Sequence, residues 1–305
     1  MEYAYYPGCS LESTGKPYDL SIREVFSSLG VTLREIEDWN CCGATLYMSV
    51  DKVVGFAVSA RNLALAQNMG CDICAPCSSC YTTLRKTNRH IAWNAHSREI
   101  IKESLKSVNL SYDKPVEVRH PLDILVNDVG LKKLQSAAKY DLNRLKVAPY
   151  YGCMIVRPVY HFDDMEEPVS MDNLLLTLGA EVVEYPDKVR CCGGMLMTTY
   201  EEVAMDLNNH LLKCAEDNGA EVIATACPLC QMNLEAYQSQ INKRYGLNHH
   251  MPIVYFSQLV GLALGVSPEK LGLDMLLVEL DNLRLKSRAI PTPETAGKPS
   301  VRVAV

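Results

Sequence analysis

Ten of the thirteen cysteines in this 305-residue chain fall into two sets with nearly the same spacing. Cys9, the adjacent Cys41 and Cys42, and a C-x-x-C formed by Cys77 and Cys80 make the first set. Cys153, the adjacent Cys191 and Cys192, and a second C-x-x-C of Cys227 and Cys230 make the other. From the pair to the C-x-x-C the gap is 34 residues in both sets; from the lone cysteine to the pair it is 31 and 37 residues. Thiolates are soft ligands, so a duplicated constellation of five points to two related units that organise metal or redox chemistry.

The thiol count itself narrows that chemistry. A structural zinc ion takes four ligands, and so does an ordinary cubane iron–sulfur cluster. Five per half leaves three readings: a cubane with a spare cysteine, a zinc site with leftovers, or an unusual cluster that uses all five. Duplication of the fifth thiol argues that it has work in both halves. Adjacent cysteines diverge along an extended chain and seldom chelate one ion. They can serve a polynuclear cluster where the chain turns, and Gly43 and Gly193 directly follow the pairs. Pro228 sits where a helix would begin, so the C-x-x-C is expected to open one, its free N–H groups facing the thiolates.

These side chains need a frame. Strand-like stretches at 2–6, 31–36, 71–75 and 116–118 alternate with helical spacing at 17–29, 52–69 and 81–93. The order repeats, with strands at 147–151, 181–185, 222–225 and 253–256 and helices at 171–178, 201–218 and 231–245. This predicts an α/β fold of two tandem homologous domains, 1–144 and 145–286, each a small parallel sheet flanked by helices. The cysteines then lie at the carboxyl ends of strands, where open α/β sheets bind ligands. The extra residues of the second half fall in an acidic loop, 157–168. Residues 287–305, with Pro291, Pro293 and Pro299, read as an extended tail.

Composition sets limits. The chain is 48% hydrophobic and 22% charged, as in soluble globular proteins. No apolar run approaches the roughly 20 residues that span a bilayer, and the N-terminus lacks the basic and apolar regions of a signal peptide. A cytoplasmic location is expected, where dense cysteine implies metal or catalysis rather than disulfide staples. A net charge of −6 gives no basic footprint for nucleic acid. Cys71 and Cys74 complete a run with Cys77 and Cys80 that superficially matches a ferredoxin. That run ends differently, and the second half has Glu221 and Ala224 in place of the first two. Both are read as strand-embedded packing residues, and Cys214 as a buried residue of a helix. His120, His249 and His250 suggest no site.

The two Cys…Cys-Cys-Gly…Cys-x-x-Cys arrays resemble those of the CCG-domain family. The stretches Cys191-Cys192-Gly193-Gly194 and Cys227-Pro228-Leu229-Cys230-Gln231-Met232-Asn233-Leu234 resemble in particular the B subunits of CoB–CoM heterodisulfide reductases of methanogenic archaea. The resemblance covers roughly residues 1–285. It implies two noncubane [4Fe–4S] clusters, one on Cys9, Cys41, Cys42, Cys77 and Cys80, the other on Cys153, Cys191, Cys192, Cys227 and Cys230. It implies an oxidoreductase, the catalytic subunit of a larger complex, that reduces the CoM–S–S–CoB heterodisulfide to the coenzyme M and coenzyme B thiols between the two clusters. It also implies partners: a ferredoxin-like iron–sulfur subunit and an upstream flavin-containing subunit. In agreement, the chain has neither a ferredoxin run nor a G-x-G-x-x-G dinucleotide fingerprint.

Such a substrate carries a sulfonate, a phosphate and carboxylates, which call for cations. Arg85, Arg157, Lys188 and Arg190, close to the arrays or in the extra loop, are the substrate-binding candidates. His161, beside Asp163, is the candidate proton donor. A competing function is an electron-relay CCG subunit of another redox complex, in lactate, glycerol-phosphate or sulfur metabolism. A zinc-stabilised assembly unit is the non-enzymatic alternative.

Overall fold

The computed structural model describes residues 1–44, 46–157, 163–280 and 285–287. Ten short strands run through it in chain order: β1 (Glu2–Tyr5), β2 (Thr32–Glu35), β3 (Ile73–Cys74), β4 (Val118–Arg119), β5 (Tyr140–Asp141), β6 (Lys146–Tyr150), β7 (Glu181–Val182), β8 (Val222–Thr225), β9 (Ile253–Tyr255) and β10 (Lys286–Ser287). Two four-stranded sheets form, in the orders β2-β1-β3-β4 and β7-β6-β8-β9, every pairing parallel. The second order is the first one repeated. Helical crossovers cover the faces of each sheet, as parallel pairing requires. The α/β class and the paired parallel sheets therefore match the expectation. β5 and β10 add a small antiparallel pair. The predicted tail beyond Ser287 lies outside the described residues.

Most expected helices are present. Lys52–Met69 begins where the carboxylate of Asp51 accepts the N–H groups of Val53 and Val54 at 2.8 and 3.1 Å, and ends at a left-handed Gly70. Both C-x-x-C segments open helices, Ser78–Trp93 and Pro228–Ala236, with Cys77 and Cys227 in extended conformation just before them. The predicted helix over 231–245 is instead two, Pro228–Ala236 and Gln238–Tyr245. The side chain of Gln238 explains the break. Its amide donates to the Leu234 carbonyl at 2.9 Å and pairs with both backbone groups of Met251, so the interrupted turn has its partners. Helices Ala95–Lys106 and Phe256–Leu264 were not expected. The second is buried over its whole length, so it has no polar face to reveal a period.

The hydrophobic packing does not divide where the sheets do. The larger core joins Tyr5, Ile22 and Phe26 of the first half to Leu174, Phe256 and Leu259 of the second. A smaller core, including Tyr150, Leu211 and Ile253, packs on the second sheet alone. Between the halves, helix Lys16–Ser28 lies against Phe256–Leu264. The rings of Tyr18 and Tyr255 stack at 4.2 Å there, and the buried hydroxyls of Ser21 and Ser257 share a hydrogen bond of 2.7 Å. Leu259→Ala in this seam should cost about 2–5 kcal/mol. Because the core is shared, urea unfolding followed by circular dichroism should show a single transition that moves as a whole. Two transitions with only one displaced would contradict a shared core.

Candidate metal centre

In a sheet of order 2-1-3-4 the chain leaves the first and third strands in opposite directions, which opens a crevice at their carboxyl ends. The cysteines occupy that crevice in both halves. Cys9 follows β1, Cys41 and Cys42 follow β2, and Cys77 and Cys80 follow β3; Cys153, the 191–192 pair, and Cys227 with Cys230 stand in the same places after β6, β7 and β8. Exposure repeats as well. In each set the lone cysteine and the first of the pair reach the surface, Cys153 less so, and the other three are buried.

Close packing at these loops needs glycine. Gly8 and Gly152 have φ of +70° and +66°, and a Cβ on either would stand 3.1 Å from the sulfur of Cys80 or Cys230. Gly43 and Gly193 also take positive φ, which turns the chain after each pair. Their N–H groups then point at the sulfurs of Cys41 and Cys191, at 3.5 and 3.3 Å. The turn expected from these two glycines is therefore present.

Further residues hold the loops, and the sequence reading passed over them. The hydroxyl of Tyr6 donates to the Asn40 carbonyl and that of Tyr150 to the Arg190 carbonyl, each at 2.7 Å. Those carbonyls immediately precede the two cysteine pairs. Both tyrosines stand three residues before their lone cysteine, a repeat that could have revealed them. Burial, and then the neighbouring thiols, hold both phenols well above the ordinary range, so they remain donors. Buried asparagines do similar work. Asn62 brackets the backbone of Asn40 at 2.9 and 3.0 Å, while Asn208 and Asn233 donate to the Cys192 carbonyl at 2.9 and 3.2 Å.

The thiols contact one another. Cys41 is hydrogen-bonded to Cys9 and Cys42, and Cys42 to Cys80; in the second half Cys153 is bonded to Cys191, and Cys230 to Cys192 and Cys227. The two sets also meet, because the thiols of Cys77 and Cys227 interact across the seam. All five thiols of the second set line one cavity of about 210 Å³, to which the first half contributes Ser78 and Ser79. Tyr151, Met154, Gly194, Met195 and Leu229 also line it, so among the described residues no carboxylate or amine faces it. Among the described residues, no three His, Cys, Asp or Glu side chains form a ready single-ion centre. The sulfurs surround a space rather than a point. Leu229 and Cys230 also turn their N–H groups to the Cys227 sulfur, as the helix N-terminus was expected to do.

One imidazole lies in the seam. His120 follows β4 and is fully buried. Its Nδ1 accepts from the N–H of Leu122 at 3.1 Å, so the ring proton is on Nε2. Nε2 faces the carbonyls of Pro76 at 2.8 Å and Ala226 at 3.1 Å. Burial lowers its pKa to about 4, so the ring is neutral. The Ala226 carbonyl also accepts from Ser78 Oγ at 3.0 Å and Tyr18 Oη at 3.4 Å.

The four candidate cations lie elsewhere. None lines the cavity, and each has a partner in the chain. Arg85 donates to the Tyr81 hydroxyl at 2.5 Å, and Arg157 pairs with Glu166 at 2.8 Å within the acidic loop. Lys188, only 13% exposed, reaches the Pro168 carbonyl at 2.7 Å and Asp172 at 3.8 Å, fastening that loop. Arg190 lies against Asp187 and His210 at 3.3 and 3.0 Å. His161 lies outside the described residues. Cys74 is buried in β3 as expected. Cys71 lies just before β3, partly exposed, its sulfur 3.6 Å from Arg34. Cys214 is partly exposed rather than buried, because its thiol bonds to Asp187. His249 is held between Glu216 and Asn209 at 2.7 and 2.9 Å.

These thiol contacts have a signature in the metal-free chain. The hydrogen bond from Cys153 pulls Cys191 down to about 6, and bonds from Cys42 and Cys9 pull Cys41 down to about 2. The donors Cys9 and Cys153 are raised, chiefly by those same bonds. Alkylation mapped by mass spectrometry should therefore label Cys191 slowly below pH 6 and quickly above it. Cys41 should react across the range, and Cys9 and Cys153 should stay slow past pH 9. A common onset at the ordinary thiol range of about pH 8.5 would rule this network out.

Comparison with known proteins agrees with the duplicated layout. The model of the CCG cysteine-rich domain matches twice, at residues 3–85 and 147–235. The 8-methylmenaquinol:fumarate reductase membrane anchor subunit of Wolinella succinogenes is 35% identical over 92% of this chain and 99% of its own length. A protein of Archaeoglobus profundus named as similar to the B subunit of heterodisulfide reductase is 31% identical over 88% of this chain and 93% of its own. The B subunit of the ferredoxin/F420H2-dependent CoB–CoM heterodisulfide reductase of Methanosarcina acetivorans is 30% identical over 90% and 93%. A hypothetical protein from Helicobacter pylori shares the fold with a TM-score of 0.76 at 16% identity; the match covers 91% of this chain and 52% of that one. With two copies of its signature domain, each carrying the full cysteine array, this chain belongs to the CCG cysteine-rich-domain family.

Proposed function

We propose that each cysteine set holds a [4Fe–4S] cluster of noncubane build and that the chain is the disulfide-reducing subunit of a heterodisulfide reductase, acting on the CoM–S–S–CoB heterodisulfide. One observation carries the reading: two five-thiol crevices abut through Cys77 and Cys227, and the cavity of the second is walled in part by the first half. The donor set of the second crevice fits, because five sulfurs around one cavity exceed the four ligands of a zinc ion and suit a multi-iron cluster. When bound, such clusters would supply electrons one at a time and Lewis-acidic iron for the sulfurs being separated.

The reduction consumes two electrons and two protons, R–S–S–R′ + 2e⁻ + 2H⁺ giving RSH and R′SH. This chain's own part is to place two one-electron centres side by side and to keep water from the bond between them. Met154, Met195 and Leu229 give the cavity an apolar wall for a disulfide. With these four candidate cations already paired, they would hold the anionic ends of the substrate by exchanging those partners, as Arg157 could exchange its exposed pair with Glu166. Electrons enter from a partner, a ferredoxin-like iron–sulfur subunit fed by a flavin-containing one. Relatives named as subunits of larger reductases support that arrangement.

The Wolinella relative favours a second reading, in which the same centres relay electrons within another redox complex. That protein is named a membrane anchor subunit; among the described residues here, no helix is long and apolar enough to cross a membrane. Both readings demand iron. Protein purified without oxygen should contain about eight irons per chain with matching acid-labile sulfide and little zinc. Cys192→Ser should lower iron as much as Cys230→Ser does, whereas a cubane with a spare thiol would tolerate the first change. An electron paramagnetic resonance signal altered by coenzyme M under oxidising conditions would support disulfide chemistry. Indifference to both coenzymes, with turnover restored by an electron-transfer partner, would favour the relay.

A further inference from the structure

His120 stands in neither cysteine array, yet its one ring proton lies between both. We propose that His120 is a positioning residue that sets the spacing of the two metal centres by clamping the peptide groups that carry Cys77 and Cys227. Pro76 and Ala226 are the residues immediately before those cysteines, so the carbonyls that Nε2 reaches, at 2.8 and 3.1 Å, belong to the peptide units that end at Cys77 and Cys227. Carbonyls only accept, and the N–H of Leu122 only donates to Nδ1, so the tautomer is set by geometry. A single N–H thus ties together two loops 150 residues apart in sequence. The thiols those loops carry are themselves in contact.

Three features show that the arrangement is built rather than incidental. Nδ1 is fixed because His120 also caps the short helix Pro121–Asp123. The ring is packed edge-on to Tyr81 at 5.8 Å and near Phe256 at 6.3 Å, one residue from each half. The Ala226 carbonyl is drawn toward the first half by Ser78 and Tyr18 as well, so every one of these side-chain donors to it comes from the first half. Removing the ring proton would take the His120 donor from the Pro76 carbonyl, leave the Ala226 carbonyl to Ser78 and Tyr18, and loosen a link that joins the two loops.

The proposal rests on the cluster reading only for its consequence, not for its geometry, and two measurements separate them. The first uses metal-free chain carrying Cys80→Ser and Cys230→Ser, which removes competing thiols. Diamide should then join Cys77 to Cys227 in a disulfide that peptide mapping detects. His120→Leu should slow this trapping about fivefold, the effect of one ordinary hydrogen bond, and His120→Gln, which keeps an N–H donor, should recover most of it. Equal rates in all three would overturn the proposal. Should His120→Leu fail to fold, Ser78→Ala, which strips a donor from the same carbonyl, decides: slower trapping supports the clamp and unchanged trapping refutes it. The second measurement uses iron-loaded chain with all ten cysteines. His120→Leu should keep its iron while the magnetic interaction between the two reduced clusters changes and His120→Gln restores it; an unchanged interaction also counts against the clamp. A wild-type chain that holds no iron would remove the cluster reading, and the trapping rates would still decide the role of His120.

Discussion

A single contact organises this molecule: the meeting of Cys77 and Cys227 at the seam between its halves. Each of these cysteines is the last extended residue before a helix, so its backbone is held by the helix on one side and by the parallel sheet on the other. Around them, His120, Ser78 and Tyr18 converge on one carbonyl, and the Tyr18–Tyr255 stack packs nearby. The shared core follows from the same requirement. Two pockets can abut only if the sheets that carry them are pressed together, and helix Lys16–Ser28 against Phe256–Leu264 does that pressing.

Duplication makes the geometry economical. A 2-1-3-4 sheet opens one crevice, where loops leave adjacent strands in opposite directions. Two copies turned toward each other bring two crevices together without any new loop. Each half then finishes the other's site. Ser78 and Ser79 wall the second cavity, Thr82 donates to the carbonyl of Met154 beside Cys153, and Pro228 packs close against Gly15 near the Cys9 loop. A Cβ on Gly15 would lie 3.0 Å from that proline.

Much of the fold was legible because its signals are local. Strand and helix alternation, the duplicated cysteine spacing, and the glycines after each pair all survive in one dimension. What escaped was carried by backbone carbonyls and by long-range partners. His120 looks like an isolated histidine until its two carbonyl partners, Pro76 and Ala226, are brought together by the fold. Phe256–Leu264 is buried on every side, Ser257 and Gln258 included, so periodicity could not mark it as a helix. The break at Tyr237 depends on Gln238 finding Met251 from another loop. The four cations were chosen for closeness in sequence to the arrays, but Asp172, Glu166, Asp187 and Tyr81 engage them in space. Tyr6 and Tyr150 are the instructive middle case: each bonds a carbonyl, yet their equal offset from Cys9 and Cys153 was visible in the repeat.

Charge decides what such pockets can hold. Six of the ten array cysteines are buried, and burial disfavours thiolate, so the metal-free chain keeps protons between paired sulfurs. Deprotonating all ten would crowd like charges within hydrogen-bonding distance of one another. Arg85, Arg157, Lys188 and Arg190 are committed to a hydroxyl, carboxylates and a carbonyl, and among the described residues no cation lines the second cavity. The chain brings oriented dipoles: the N–H groups of Gly43 and Gly193, and those of Leu229 and Cys230 at a helix start. Dipoles of this kind fine-tune a charge but do not cancel five thiolates. On the cluster reading proposed above, the compensating positive charge would come with the guest, a condition that iron meets and that a neutral ligand of the cavity would not.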